Sequence, residues 1–181
     1  MKKIICALGL LMLLTLSGCQ NSGGETAGQE FESLGASFED GKTVTVDMNR
    51  EEVLEEMGGE PDDWVTKYGL IAYYGAQSPY EVTSLQYVGQ EEMPFSTSLG
   101  VDMGDSADDI KEALGEPASE SADRYSYGLE RGEDGYTLFT GTEEEFYQYA
   151  SGEGDPYNLY MANFTLEDGK VTQFSVYVLR E

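Results

Sequence analysis

The chain has 181 residues and a formal net charge of −25, with Lys and Arg numbering 10 against 35 Asp and Glu. Such a surface repels phosphate backbones and anionic lipid headgroups, which excludes nucleic acid as a partner and surface electrostatics as a means of membrane attachment. No histidine is present, so Ser-His-Asp and Cys-His catalysis, histidine-ligated zinc and the usual neutral-pH proton shuttle are removed.

The first element is a secretory signal over residues 1–18. Lys2 and Lys3 precede an apolar run, and Leu16-Ser17-Gly18-Cys19 closes it, which is the order of charged, hydrophobic and small-residue regions in exported proteins. The run is shorter than the roughly 20 residues that cross a bilayer core. Leu16-Ser17-Gly18-Cys19 resembles the lipobox of bacterial lipoproteins. That resemblance implies cleavage before Cys19, diacylglycerol on its sulfur and an acylated new N-terminus; two or more chains then give stable attachment. The expected location is the extracytoplasmic face of a bacterial cell membrane, held there by lipid. An ordinary cleaved signal that happens to contain a cysteine is the plainer alternative. Cys6 lies in the signal and Cys19 is the lipid site, so the body has no thiol left for a disulfide.

Residues 19–37 are polar and glycine-rich and read as a flexible tether, whose length spans about 20–25 Å on average. Beyond it, an aromatic content of 12% and strand-like runs of Tyr and Val argue for a packed body.

That body contains an internal repeat. One offset lays Val44-Thr45-Val46 over Val101-Asp102-Met103, Asn49 over Ser106, Glu52 over Asp109, Val53 over Ile110 and Met57 over Leu114. Each block then reaches Gly-Glu-Pro, at Gly59-Glu60-Pro61 and Gly115-Glu116-Pro117, and Tyr68 falls over Tyr125. The matched residues define local structure. Asn49 and Ser106 suit helix N-caps, Glu52 and Asp109 complete capping boxes, and glycine followed by proline stops each helix. Residues 64–74, 82–88, 124–129 and 136–140 read as strands. Thr142-Glu143-Glu144-Glu145 opens a further short helix carrying Phe146, Tyr149 and Ala150. Tyr160, Ala162, Phe164 and Leu166 alternate, as do Thr172, Phe174, Val176 and Val178, with a hairpin turn at Glu167-Asp168-Gly169-Lys170 between them.

The stretch from Val101 through Gly104, Ser106, Ile110 and Leu114 to Gly115-Glu116-Pro117, followed by tyrosine-rich strands, resembles a recurring lipoprotein motif. It is similar to the small envelope lipoproteins of the BamE/SmpA group and to the repeats of the beta-lactamase inhibitory protein. The resemblance covers residues 42–181. The first copy departs from the motif, with Asp47-Met48 where a glycine is expected and Gly58 additional. It implies an α+β fold, short helices on one face of an antiparallel sheet, in two tandem units at 38–95 and 96–181 whose sheets stack. Members of that fold mostly bind proteins.

The expected function is accordingly a non-enzymatic protein-binding or envelope scaffold module, with a carbohydrate- or peptide-capturing lipoprotein as the alternative. No cofactor and no metal site is expected. Asp102, Asp105, Asp108 and Asp109 lack calcium-loop spacing, and Asp105, Asp108 and Asp109 gather at a helix start, where carboxylates favour the dipole. A hydrolytic carboxylate pair has no distinguishing sequence signal among so many acids. Asn163-Phe164-Thr165 is formally a glycosylation sequon, without meaning beside a bacterial lipobox. Candidate surface residues are Trp64, Tyr73, Tyr74, Tyr80, Tyr127, Tyr157 and Tyr160, because aromatic rings offer large contact area at low entropic cost. The competing reading for each is sheet packing.

Overall fold

The computed structural model describes residues 28–58, 69–88 and 94–179. The signal, Cys19, Trp64, Tyr68 and the first Gly-Glu-Pro lie outside the described residues. Within them the order is β1 (Glu30–Phe31), β2 (Gly35–Phe38), β3 (Thr43–Thr45), α1 (Arg50–Met57), β4 (Leu70–Tyr74), β5 (Val82–Val88), β6 (Phe95–Thr97), α2 (Ala107–Leu114), β7 (Ser119–Glu120), β8 (Arg124–Arg131), β9 (Tyr136–Leu138), α3 (Glu143–Gly152), β10 (Leu159–Glu167) and β11 (Lys170–Val178). The class is α+β, and antiparallel pairing dominates.

All three helices begin as their sequences dictate. The Asn49 side chain accepts from the amides of Glu51 and Glu52 at 2.9 and 3.2 Å, while the Glu52 carboxylate accepts the Asn49 amide at 2.8 Å. Ser106 with Asp109 and Thr142 with Glu145 repeat this reciprocal arrangement. Gly58 and Gly115 end α1 and α2 with φ of 73° and 77°, a region costly to any side-chain-bearing residue. Asp168 and Gly169, with φ of 51° and 75°, form the tight turn that joins β10 to β11.

Seven strands run in the order β1-β9-β8-β10-β11-β5-β4, with β7 pairing β8 beside β9. A second sheet, β3-β2-β6, lies over this large sheet. Phe38 of β2 and Phe95 of β6 set their ring centroids 5.8 and 6.0 Å from that of Tyr87 on β5. The buried Tyr87 hydroxyl crosses the gap and donates to the Val44 carbonyl of β3 at 2.7 Å. Tyr87 also stacks on Phe174, which packs against Phe164. Val53 and Met57 of α1, and Ile110 and Leu114 of α2, join this same core. The opposite face of the large sheet is covered at one end by α3, through Phe146 against Leu159 and Met161.

Two expectations change. Residues 30–31 and 35–37, expected within the tether, belong to β1 and β2, and Leu34 and Ala36 are buried. Their small residues serve close packing: a Cβ on Gly35 would stand 2.1 Å from the Val44 carbonyl oxygen. The sheets of the two expected units are also not stacked. β5 and β11 pair edge to edge, from Ser84 opposite Tyr177 to Val88 opposite Gln173, making one continuous surface. Edge pairing satisfies backbone groups that stacking would leave bare.

Some contacts around α1 and α2 correspond. Before α1, the Val82 amide donates to the Met48 carbonyl at 3.0 Å; before α2, the Val171 amide donates to the Asp105 carbonyl at 2.8 Å. Asn49 bridges Glu81, and Ser106 bridges Lys170. The β4–β5 register shifts between Tyr73 and Tyr74, and the β10–β11 register between Thr165 and Leu166.

Candidate functional site

Two surfaces qualify. The first is the face of the large sheet turned away from the small one. Strand alternation decides it: Leu85 and Tyr87 point into the core, so Ser84, Gln86 and Val88 point outward. The same logic exposes Ile71 and Tyr73 on β4, and Gln173, Ser175 and Tyr177 on β11. One row crosses the sheet as Ser126, Asn163, Ser175, Gln86 and Ile71 in register. Ser126 Oγ donates to Asn163 Oδ1 at 2.7 Å, and Asn163 Nδ2 reaches Ser175 Oγ at 3.5 Å. None of these side chains is a carboxylate or a cation. Ser126 and Asn163 at one end of the row are buried, and alternation brings Arg124 of β8 and Glu167 of β10 to the edge of this face. Its β4, β5 and β11 part, from Ile71 and Tyr73 to Gln173 and Tyr177, is a charge-free surface in a molecule of net charge −25. Tyr147 of α3 borders it and is hydrogen-bonded to Tyr177; burial first, then Tyr177, raises the Tyr147 phenol above its ordinary pKa.

The second surface is a cleft of about 700 Å3 at one end of the large sheet. The loop from Gly75 to Glu81 forms one wall, closed by the Gly75 amide on the Glu81 carbonyl and the Tyr80 amide on the Gln77 carbonyl, each at 2.8 Å. Tyr157 and Asn158 form the other, and Arg131, Tyr160, Val82 and Val178 lie between. Arg131 Nη2 sits 2.9 Å from Asp47 Oδ1, and the Tyr136 hydroxyl donates to the same oxygen at 2.7 Å. Tyr160 meets Tyr136 edge-on, with centroids 5.4 Å apart. Burial, followed by the hydrogen bond to Asp47, pushes the Tyr136 phenol far above its ordinary range. Burial also raises Tyr160, against the opposing pull of Arg131. Both phenols therefore stay neutral at physiological pH, and Arg131 and Asp47 form a partly exposed ion pair.

The candidate tyrosines separate. Tyr157 is 58% exposed and lines the cleft, and Tyr160 is its mostly buried floor. Tyr73 is exposed on the charge-free face, and Tyr80 is exposed on the β4–β5 loop outside the cleft lining. Tyr74 is half-buried against the core, its hydroxyl buried without a hydrogen bond. Tyr127 is corrected to a core residue: it is 1% exposed, and its hydroxyl donates to the Gly115 carbonyl at the end of α2. Sequence reasoning missed Arg131, Asn158 and Gln77. Arg131 carried a usable signal, as one of few cations in an acidic chain; the two amides carried none.

Among the described residues no group of His, Cys, Asp or Glu is placed to hold a metal ion, and no helix is long and apolar enough to cross a membrane. Comparison with known protein families, curated proteins and solved structures found no match.

Proposed function

We propose that this chain is an extracytoplasmic lipoprotein, anchored through lipid on Cys19, whose body binds a protein partner without performing chemistry on it. The observation that carries the reading is the charge-free face of β4, β5 and β11. A −25 chain that keeps carboxylates off the β4, β5 and β11 part of one sheet face has a surface where close approach costs little charge desolvation, while the rest of the molecule stays soluble. Half-exposed Ile71, Val88 and Tyr177 beside exposed Tyr73 supply apolar and aromatic contact area there.

The same reading takes the body as a duplicated α+β architecture of the kind seen in the BamE/SmpA group and the beta-lactamase inhibitory protein. Support comes from the matched capping boxes of α1 and α2, their matched bonds to Val82 and Val171, and the matched register shifts of β4 and β10. Leu16-Ser17-Gly18-Cys19 supports the anchor.

The test places a photocrosslinking residue at Gln86, on the charge-free face, and separately at Glu112, exposed on α2, in the full-length lipidated chain. A discrete adduct from Gln86 and none from Glu112 is the expected result. Equal adducts from both positions, or none from Gln86, would overturn the reading. In parallel, Cys19→Ser should move the protein from the membrane to the soluble fraction.

A further inference from the structure

The cleft shares none of its lining residues with the charge-free face, so it needs its own account. We propose that it binds a neutral sugar, the uncharged pyranose units of a glycan. Three observations lead there.

The first is an exposed aromatic ring on a fastened backbone. Asp155 holds the segment before β10: its Oδ1 accepts the Tyr157 amide at 3.1 Å, its Oδ2 accepts Asn158 Nδ2 at 3.1 Å, and its carbonyl accepts the Asn158 amide at 2.8 Å. The Asn158 carbonyl in turn accepts the Arg131 amide at 2.7 Å. Tyr157 is thus displayed at the cleft wall rather than packed away, with its supporting segment ordered before any ligand arrives. A planar ring carried on such a segment suits the apolar face of a pyranose, and an ordered backbone lowers the entropy cost of binding.

The second is the mixture of polar groups. Arg131 and Gln77 bring donors, Glu81 brings a carboxylate acceptor, and Ser78 and Thr83 bring hydroxyls, around the apolar Val82 and Val178. Sugar hydroxyls both donate and accept, so they can use this mixture where a purely apolar ligand would leave it unpaired.

The third is charge. Asp47 already neutralises Arg131, Glu81 leaves the lining negative, and the field of the whole molecule repels anions. An acidic sugar or acidic peptide is therefore disfavoured, and a neutral polyhydroxyl ligand is not.

The experiment is saturation-transfer NMR on the full-length chain in detergent, with maltotriose, cellotriose and chitotriose as neutral probes. Trigalacturonate and trialanine serve as acidic and peptide comparators, all at millimolar concentration. At least one neutral trisaccharide should receive saturation. Tyr157→Ala should weaken it about tenfold or more, and Arg131→Lys, which retains the charge facing Asp47 but loses the planar fork, should weaken it as well. Tyr73→Ala, on the charge-free face, should leave it unchanged. Signal from trialanine or trigalacturonate alone, no signal from any neutral probe, or full binding by Tyr157→Ala would overturn the proposal. Because Tyr73 and Gln86 lie outside the cleft, failure here and failure of partner crosslinking at Gln86 are separate outcomes.

Discussion

Gly128 shows how one absent side chain decides where a helix lies. A Cβ there would stand 2.7 to 2.9 Å from the ring carbons of Phe146, which is fully buried. The ring lies flush against the β8 backbone only because nothing projects from residue 128. Gly128→Ala should therefore destabilise the protein by about 1–3 kcal/mol through overpacking, loosening α3 before the rest. A thermal melt followed by hydrogen exchange of α3 amides checks this, and an unchanged melt with α3 still protected would refute it. Tyr87 acts in the opposite sense, as a large residue that the fold requires. It fills the gap between the two sheets and satisfies the Val44 carbonyl within it.

At the scale of elements, the capping boxes couple α2 and α3 to pH. The Ser106 hydroxyl, then the Ser106 amide, bond the Asp109 carboxylate and hold its pKa below the ordinary value. The Thr142 amide and then its hydroxyl do the same for Glu145. A carboxylate whose folded pKa is depressed adds stability above its unfolded pKa and loses it as pH falls through the folded one. Carboxyl NMR should find Asp109 protonating below the usual carboxylate range, and Ser106→Ala should move that midpoint upward. A midpoint indifferent to Ser106→Ala would mean that another cause holds it down.

These local features were legible in the sequence. Capping boxes, glycine stops and the Asp168-Gly169 turn are decided within a few residues, so Asn49, Ser106 and Thr142 could be placed without knowing the fold. The β5, β8, β10 and β11 strands announced themselves by alternation. What was not legible was pairing across long separations. Nothing in Gly35-Ala36-Ser37 distinguishes a tether from a strand until Val44 and Phe95 are known to press on it. Likewise Arg131 finds its counter-ion only because Asp47, far away in the sequence, is brought against it. The charge-free face was half visible: Ser84, Gln86 and Val88 alternate with Leu85 and Tyr87, but its width depends on β5 meeting β11.

For the molecule as a whole, the charge of −25 opposes compaction. Few cations offset it; Lys111 answers Glu116 and Glu120, and Arg131 answers Asp47, all at positions where solvent screens the pairs. Self-repulsion should therefore outweigh ion pairing in the response to salt. The melting temperature should rise as sodium chloride takes the Debye length from about 30 Å at 0.01 M to about 8 Å at physiological strength. A melting temperature that falls with salt would show that the pairs dominate.

The order of the large sheet departs from the order of synthesis. β11 is made after every other strand described here, yet it occupies an interior place, with β10 on one side and β5 on the other. Until it arrives, β5 and the helix-bearing segment before it have no neighbour on that side, and the earlier half of the polypeptide must wait in an incomplete state. Pairing β5 with β11 joins segments far apart in the chain, the kind of long-range contact that slows folding.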